Sequence, residues 1–194
     1  MTDGQIISGR SRVPWRLIFW SIPAALLLLP AVAMQFTDEV NWDAFDFIFA
    51  TIMFGSVGLV LELTVRASRS VPFRVGVGMA LAAAFLIIWI NGAVGIIGDE
   101  DNPANLMFGA VLATALLGSI AALFRAPGLS KAMFAAAVVQ FAVGVIAVAG
   151  EMAVGPAAPY DVIGSTIFLT GMWLVSGVLF RTAARGQAES DRLD

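Results

Sequence analysis

The sequence predicts an all-α protein, a six-transmembrane-helix bundle whose two termini lie on the same side of the membrane. Three observations predict it. The 194 residues are 59% hydrophobic and 13% charged, with a mean hydropathy of +0.89, whereas soluble domains carry about 25% charged residues. The apolar residues fall into six runs on the order of 20 residues each, the length a helix needs to cross the hydrocarbon core. The signs of charge are also segregated. If the six runs alternate in direction, all 11 Lys and Arg residues fall on one side and none on the other.

A polar segment, 1–13, contains Arg10 and Arg12 and leads to Arg16. The membrane domain is expected over 14–181. Its first span covers 15–36, with Pro23 and Pro30 as expected kinks. The acidic connection 37–43 follows. Span two covers 44–65 and ends at Arg66, Arg69 and Arg74, and span three covers 75–97. The next connection carries Asp99, Glu100 and Asp101 and turns at Pro103 into span four, 106–124. Arg125, Pro127, Gly128 and Lys131 separate it from span five, 132–152. A Gly/Pro/Ala turn, 155–160, precedes span six, 162–180, and 182–194 is a polar tail. Lys and Arg in short loops stay cytoplasmic, so both termini are expected inside and the acidic loops outside. A competing assignment makes residues 1–33 a cleaved leader, with Arg10 to Arg16 as its basic region and Ala31-Val32-Ala33 at its end. Its apolar run exceeds the about 7–15 residues of an ordinary leader core.

The chain echoes itself. Val13-Pro14-Trp15-Arg16 opens span one and Val71-Pro72-Phe73-Arg74 opens span three, while Phe45-Asp46-Phe47-Ile48 resembles Tyr160-Asp161-Val162-Ile163. Asp46 and Arg66, Asn105 and Arg125, and Asp161 and Arg181 bound the even spans at a single spacing. Three repeated helical hairpins would produce these echoes. Constant bilayer thickness together with segregated charge imposes similar spacing on any six-span chain.

No cysteine or histidine is present, which excludes disulfides, thiolate nucleophiles, Cys/His zinc sites and histidine acid–base chemistry. Helices in lipid associate through small residues at four-residue spacing. Ala110, Thr114, Gly118 and Ala122 form such a row on span four, and Gly76, Ala80 and Ala84 on span three. These two helices flank the acidic turn and are expected at the bundle centre. Gly92, Gly95 and Gly98 either admit a close neighbour or loosen the end of span three. Asn91 and Gln140 are intramembrane amides, which either line a path or make interhelical hydrogen bonds. Asp99 and Asp101, with Asp46, are candidates for an external cation site, since hard cations take carboxylate oxygens. The alternatives are a solvated anionic loop and, for Asp46, stabilisation of a helix N-terminus. Glu62 and Arg66 have the favourable order for an i,i+4 pair. Trp15, Trp20, Trp42 and Tyr160 suit the interfacial belts, whereas Trp89 and Trp173 lie deeper and line a pocket or fill the core.

The segments Met34-Gln35-Phe36-Thr37-Asp38-Glu39-Val40-Asn41-Trp42 and Trp89-Ile90-Asn91 through Asn105-Leu106-Met107 resemble a family of small multi-pass bacterial inner-membrane proteins with no assigned activity. The resemblance runs from span one to span six. It implies the bacterial cytoplasmic membrane and carries over no site residue.

Three functions follow in order of expectation. The first is a non-enzymatic membrane component that packs with other membrane proteins or with itself. The second is a small transporter or channel for a cation or small neutral solute. The third is an enzyme acting on lipid or quinone, for which only the external carboxylates would serve. No cofactor is expected. The expected partners are the lipid bilayer and membrane proteins, not nucleic acid.

Overall fold

A computed structural model describes residues 15–153 and 158–192. Arg10, Arg12, the Val13-Pro14 half of the first echo, the 1–13 segment and residues 155–157 of the last turn lie outside the described residues. Among those described, six helices are long and apolar enough to cross a membrane. They are α1 (Trp15–Ala33), α2 (Ala44–Ala67), α3 (Val71–Ala93), α4 (Phe108–Ala121) with a 3-10 turn (Pro103–Met107) ahead of it, α5 (Ala126–Ala149) and α6 (Ala158–Ser190). The protein is all-α. The chain divides into two compact units, Met1–Leu59 and Val60–Asp194.

In the first unit α1 contains Pro23 and Pro30. The Trp20 ring lies against Gly58, 3.0 Å from where a Cβ would stand. Before α2, Asp43 Oδ1 accepts from the Phe45 and Asp46 amides at 2.7 and 3.0 Å, and Asp46 Oδ2 accepts from the Asp43 amide at 2.9 Å. This is a reciprocal cap of the kind that satisfies the orphan N–H groups of a first turn.

In the second unit the packing order is α4 on α5, α5 on α6 and α6 on α3. The centre therefore belongs to α5 and α6, whereas the small-residue rows had pointed to α3 and α4. The turn of 94–107 is long enough for α3 and α4 to take separate sides. Two hydroxyl–carbonyl bonds fix α6: Ser130 Oγ donates to the Gly177 carbonyl and Ser176 Oγ to the Gly76 carbonyl, both at 2.8 Å. Both serines are buried. Close contacts reinforce them, with Gly76 against the Phe180 ring, Gly177 against Phe134 and Gly118 against Ala132. Phe73 meets Phe180 edge-on at 5.4 Å. In lipid such contacts replace the hydrophobic drive that holds soluble bundles together.

The helix ends differ from the sequence expectation for local reasons. α3 begins at Val71 and α5 at Ala126, each with a proline in its first turn, where the missing N–H costs nothing and φ is already set. Ser70 also caps α3 by accepting from the Phe73 amide. α3 ends at Ala93 because Gly95 and Gly98 adopt φ of +74° and +78°. α6 runs on to Ser190, through Arg181 and Arg185, into the segment read as a polar tail. Between α2 and α3, Arg74 donates to the Val65 and Ser68 carbonyls at 2.9 and 2.7 Å, satisfying the orphan carbonyls of a helix C-terminus.

Charge is partitioned along this four-helix body. The Phe73–Phe180 and Ser130–Gly177 contacts bring the ends carrying Arg74, Arg125, Lys131 and Arg181 together. At the opposite end Asn102 bonds to the Met152 carbonyl at 2.8 Å, which joins the turn bearing Asp99, Glu100 and Asp101 to the region of Glu151.

Candidate functional site

Two places in the second unit concentrate polar groups: the 94–107 turn and the interior between α5 and α6. The turn is an ordered cap built on two asparagines. Val94 and Gly95 both donate to the Ile90 carbonyl at 2.9 Å as the helix closes. The left-handed glycines then reverse the chain twice, a conformation that costs a residue bearing Cβ about 1–2 kcal/mol. Between them Ile96 and Ile97 turn inward and are buried at 6% and 0% exposure. Their amides would be orphaned, but Asn105 Oδ1 accepts from both, at 3.2 and 2.9 Å. Asn105 Nδ2 donates to the Asp99 carbonyl at 2.7 Å. Asn102 Oδ1 accepts from the Ala104 amide at 3.0 Å and starts the 3-10 turn. The side chains of Asp99, Glu100 and Asp101 stay exposed.

Asn102 and Asn105 are the organising residues here, and the sequence had drawn attention to the acids beside them. The available signal was an Asn-Pro-x-Asn pattern after two spaced glycines. Of the two roles anticipated for the spaced glycines, Gly95 and Gly98 take the second: as left-handed turn positions they unwind the end of span three after Ala93. Gly92 has open space where its Cβ would be. Asp46 belongs to the first unit and takes part in the α2 cap. Among the described residues no group of three or more acidic side chains is gathered to hold a metal ion.

The small-residue rows are used unevenly. Gly76 is buried against α6, and Ala80 and Ala84 pack on the edge of the core. On α4, Gly118 meets Ala132 and Ala122 meets Gly128, whereas Ala110 is exposed. With 3.6 residues per turn, a strict four-residue row drifts about 40° per step, so its far end leaves the interface. Thr114 Oγ1 donates to its own helix at Ala110. Glu62 is buried at 8% and pairs with Arg66 at 2.5 Å.

The interior site lies at the heart of the body. Gln140, on α5, is 0% exposed, and neither its Oε1 nor its Nε2 has a hydrogen-bond partner. Across on α6, the Thr166 and Thr170 hydroxyls and the Trp173 indole nitrogen are likewise buried and unpartnered. Trp173 is 1% exposed. Thr166, Thr170 and Trp173 recur at i, i+4 and i+7 and so share one face of α6. Asn91, on α3, donates from Nδ2 to its own helix at Ile87, 2.7 Å away, and its Oδ1 is buried without a partner.

The α5–α6 register follows from three contacts. Ser130 meets Gly177, Phe134 meets Gly177, and Gly144 meets Thr166. The helices are antiparallel, and Gln140 comes level with Thr170, between Thr166 and Trp173. Gln140 had been singled out from the sequence as the deepest amide. Thr170 is among the few other intramembrane polar residues of the sequence, but its pairing with Gln140 and Thr166 depends on a register that is tertiary. The site contains donors and acceptors but no charge. It can bind a neutral hydrogen-bonding group, and it has no base, acid or nucleophile activated for chemistry.

Against protein-family models, curated proteins and solved structures, the chain finds no match.

Proposed function

We propose that this chain is a non-enzymatic, multi-pass component of a bacterial cytoplasmic membrane that packs with other membrane proteins. The basic end of its four-helix body faces the cytoplasm and the acidic turn faces outward. The single observation that carries this function is how the body is closed. Towards its acidic end α5 meets α6 by direct contact of Gly144 with Thr166, and towards the basic end α4 joins α5 through Gly118 on Ala132, the contact type that builds static helix interfaces. Large side chains cover the outer flanks instead: Leu116, Leu117 and Ile120 on α4, and Val138 and Phe141 on α5 are exposed. Such a flank suits lipid or the helix of a neighbouring protein.

The charge partition supports the orientation, because Lys and Arg in short loops remain on the cytoplasmic side. Reporter fusions at residue 100 and after residue 192 are expected in opposite compartments; finding both in one would refute the orientation. Photo-crosslinkers at Val138 and Phe141 in native membranes are expected to give one discrete protein adduct. Only lipid adducts, together with solute flux through the purified protein in sealed vesicles, would replace the packing function with transport.

A further inference from the structure

We infer that the interior of the four-helix body is a binding site for a small neutral hydrogen-bonding molecule, held by Gln140, Thr166, Thr170 and Trp173. Five polar atoms on these four side chains are buried without partners. Burying such groups is costly, and most costly in a lipid-embedded core, where no solvent competes.

Within this set the threonines depart from the habit of the other helical threonines. A helical threonine normally turns its hydroxyl back onto the carbonyl four residues earlier. Thr51, Thr64, Thr114 and Thr182 do so, at 2.7–3.0 Å. Thr166 and Thr170 do not, and their hydroxyls are unpartnered. At Thr166 the reason is visible: its Oγ1 occupies the place that a Cβ on residue 144 would take. Gly144 therefore leaves room for a hydroxyl at the α5–α6 interface, one helical turn from Gln140.

The inventory defines the ligand. The Trp173 indole nitrogen only donates, the Gln140 amide donates and accepts, and each hydroxyl does either. The ligand must both accept and donate. It must be neutral, because among the described residues no charged side chain lies at this depth and an unpaired ion in hydrocarbon is strongly disfavoured. Water is the smallest such molecule, and buried waters characteristically make two to four bonds to otherwise unsatisfied groups. Small amides and polyols present the same chemistry.

The test uses the full chain in lipid nanodiscs with its tryptophans labelled at the indole nitrogen, the Trp173 signal being assigned with Trp173→Phe. In the wild type, an exchange cross-peak between water and the Trp173 indole proton is expected, despite its burial. It should be lost in Gln140→Leu and in the near-isosteric Thr170→Val, with helicity unchanged. Urea and glycerol form the second arm. A saturable shift of the Trp173 signal alone identifies a solute site, and the cross-peak without that shift identifies water. Absence of both cross-peak and shift in the folded wild type would overturn the inference. So would an indole signal unchanged by Thr170→Val, which would mean that the four side chains act separately.

Discussion

The α5–α6 contact can be tested by adding one methyl group. In Gly144→Ala the new Cβ falls on Thr166, within contact distance of its Oγ1, Cγ2 and Cβ. Nothing there is the free end of a long side chain, so relief requires moving a helix or forcing Thr166 from its rotamer. Overpacking of this kind costs about 1–3 kcal/mol. Replacing glycine with alanine in a helix gains about 0.5–1 kcal/mol, so the control is Gly164→Ala on α6, where a Cβ meets open space and only the gain remains. The two variants should differ by about 1–3 kcal/mol. Thr166→Ala removes two of the three clashing atoms and leaves the Thr166 Cβ, 2.7 Å from the added methyl. It should therefore rescue Gly144→Ala in part, with a coupling energy of about 0.5–3 kcal/mol. The assay is reversible unfolding in mixed micelles titrated with a denaturing detergent and followed by circular dichroism. Equal stability of Gly144→Ala and Gly164→Ala, or strict additivity with Thr166→Ala, would refute the close contact and the register built on it.

Asn105→Ala should destabilise the protein by about 1–3 kcal/mol, because two buried amides lose their only side-chain acceptor. Amide exchange at Ile96 and Ile97 should accelerate while α3 stays protected. Gly95→Ala is expected to cost at least about 1–2 kcal/mol from its left-handed conformation, before adding the collision of its Cβ with the Asp99 carbonyl. Gly92→Ala, with open space at that position, is expected to be tolerated, and thermal unfolding of the pair checks both. Ser176→Ala should lower stability by about 0.6 kcal/mol, and by no more than about 1.7 kcal/mol, the mean and the maximum for interhelical hydrogen bonds in membranes. Ser165→Ala should do less, since that hydroxyl bonds only to its own helix.

Composition, the length of the apolar runs and charge were sufficient for the all-α class and the six spans, because hydrocarbon thickness imposes length on every crossing. Local chemistry fixed the α2 start at Asp43-x-x-Asp46, and the proline starts of α3 and α5 could have been read the same way. The bare apolar threshold missed them. Asn91 and Gln140 stood out as amides in an apolar context, and Gln140 proved fully buried. Other features depended on pairing between distant segments. Ser176 reaches Gly76, and Thr166 settles over Gly144, yet nothing near either residue in the sequence marks the partner. Hydrophobicity cannot select helix neighbours in lipid, where every helix is apolar on most faces and tails solvate a leucine as well as another helix does. That choice rests on shape and on a few hydroxyl–carbonyl bonds, which exist only once the helices meet. The amino acids alone therefore determined that the chain crosses a membrane and how its charge is divided. Only the tertiary structure decided that α5 and α6, not α3 and α4, hold the centre and enclose its polar groups.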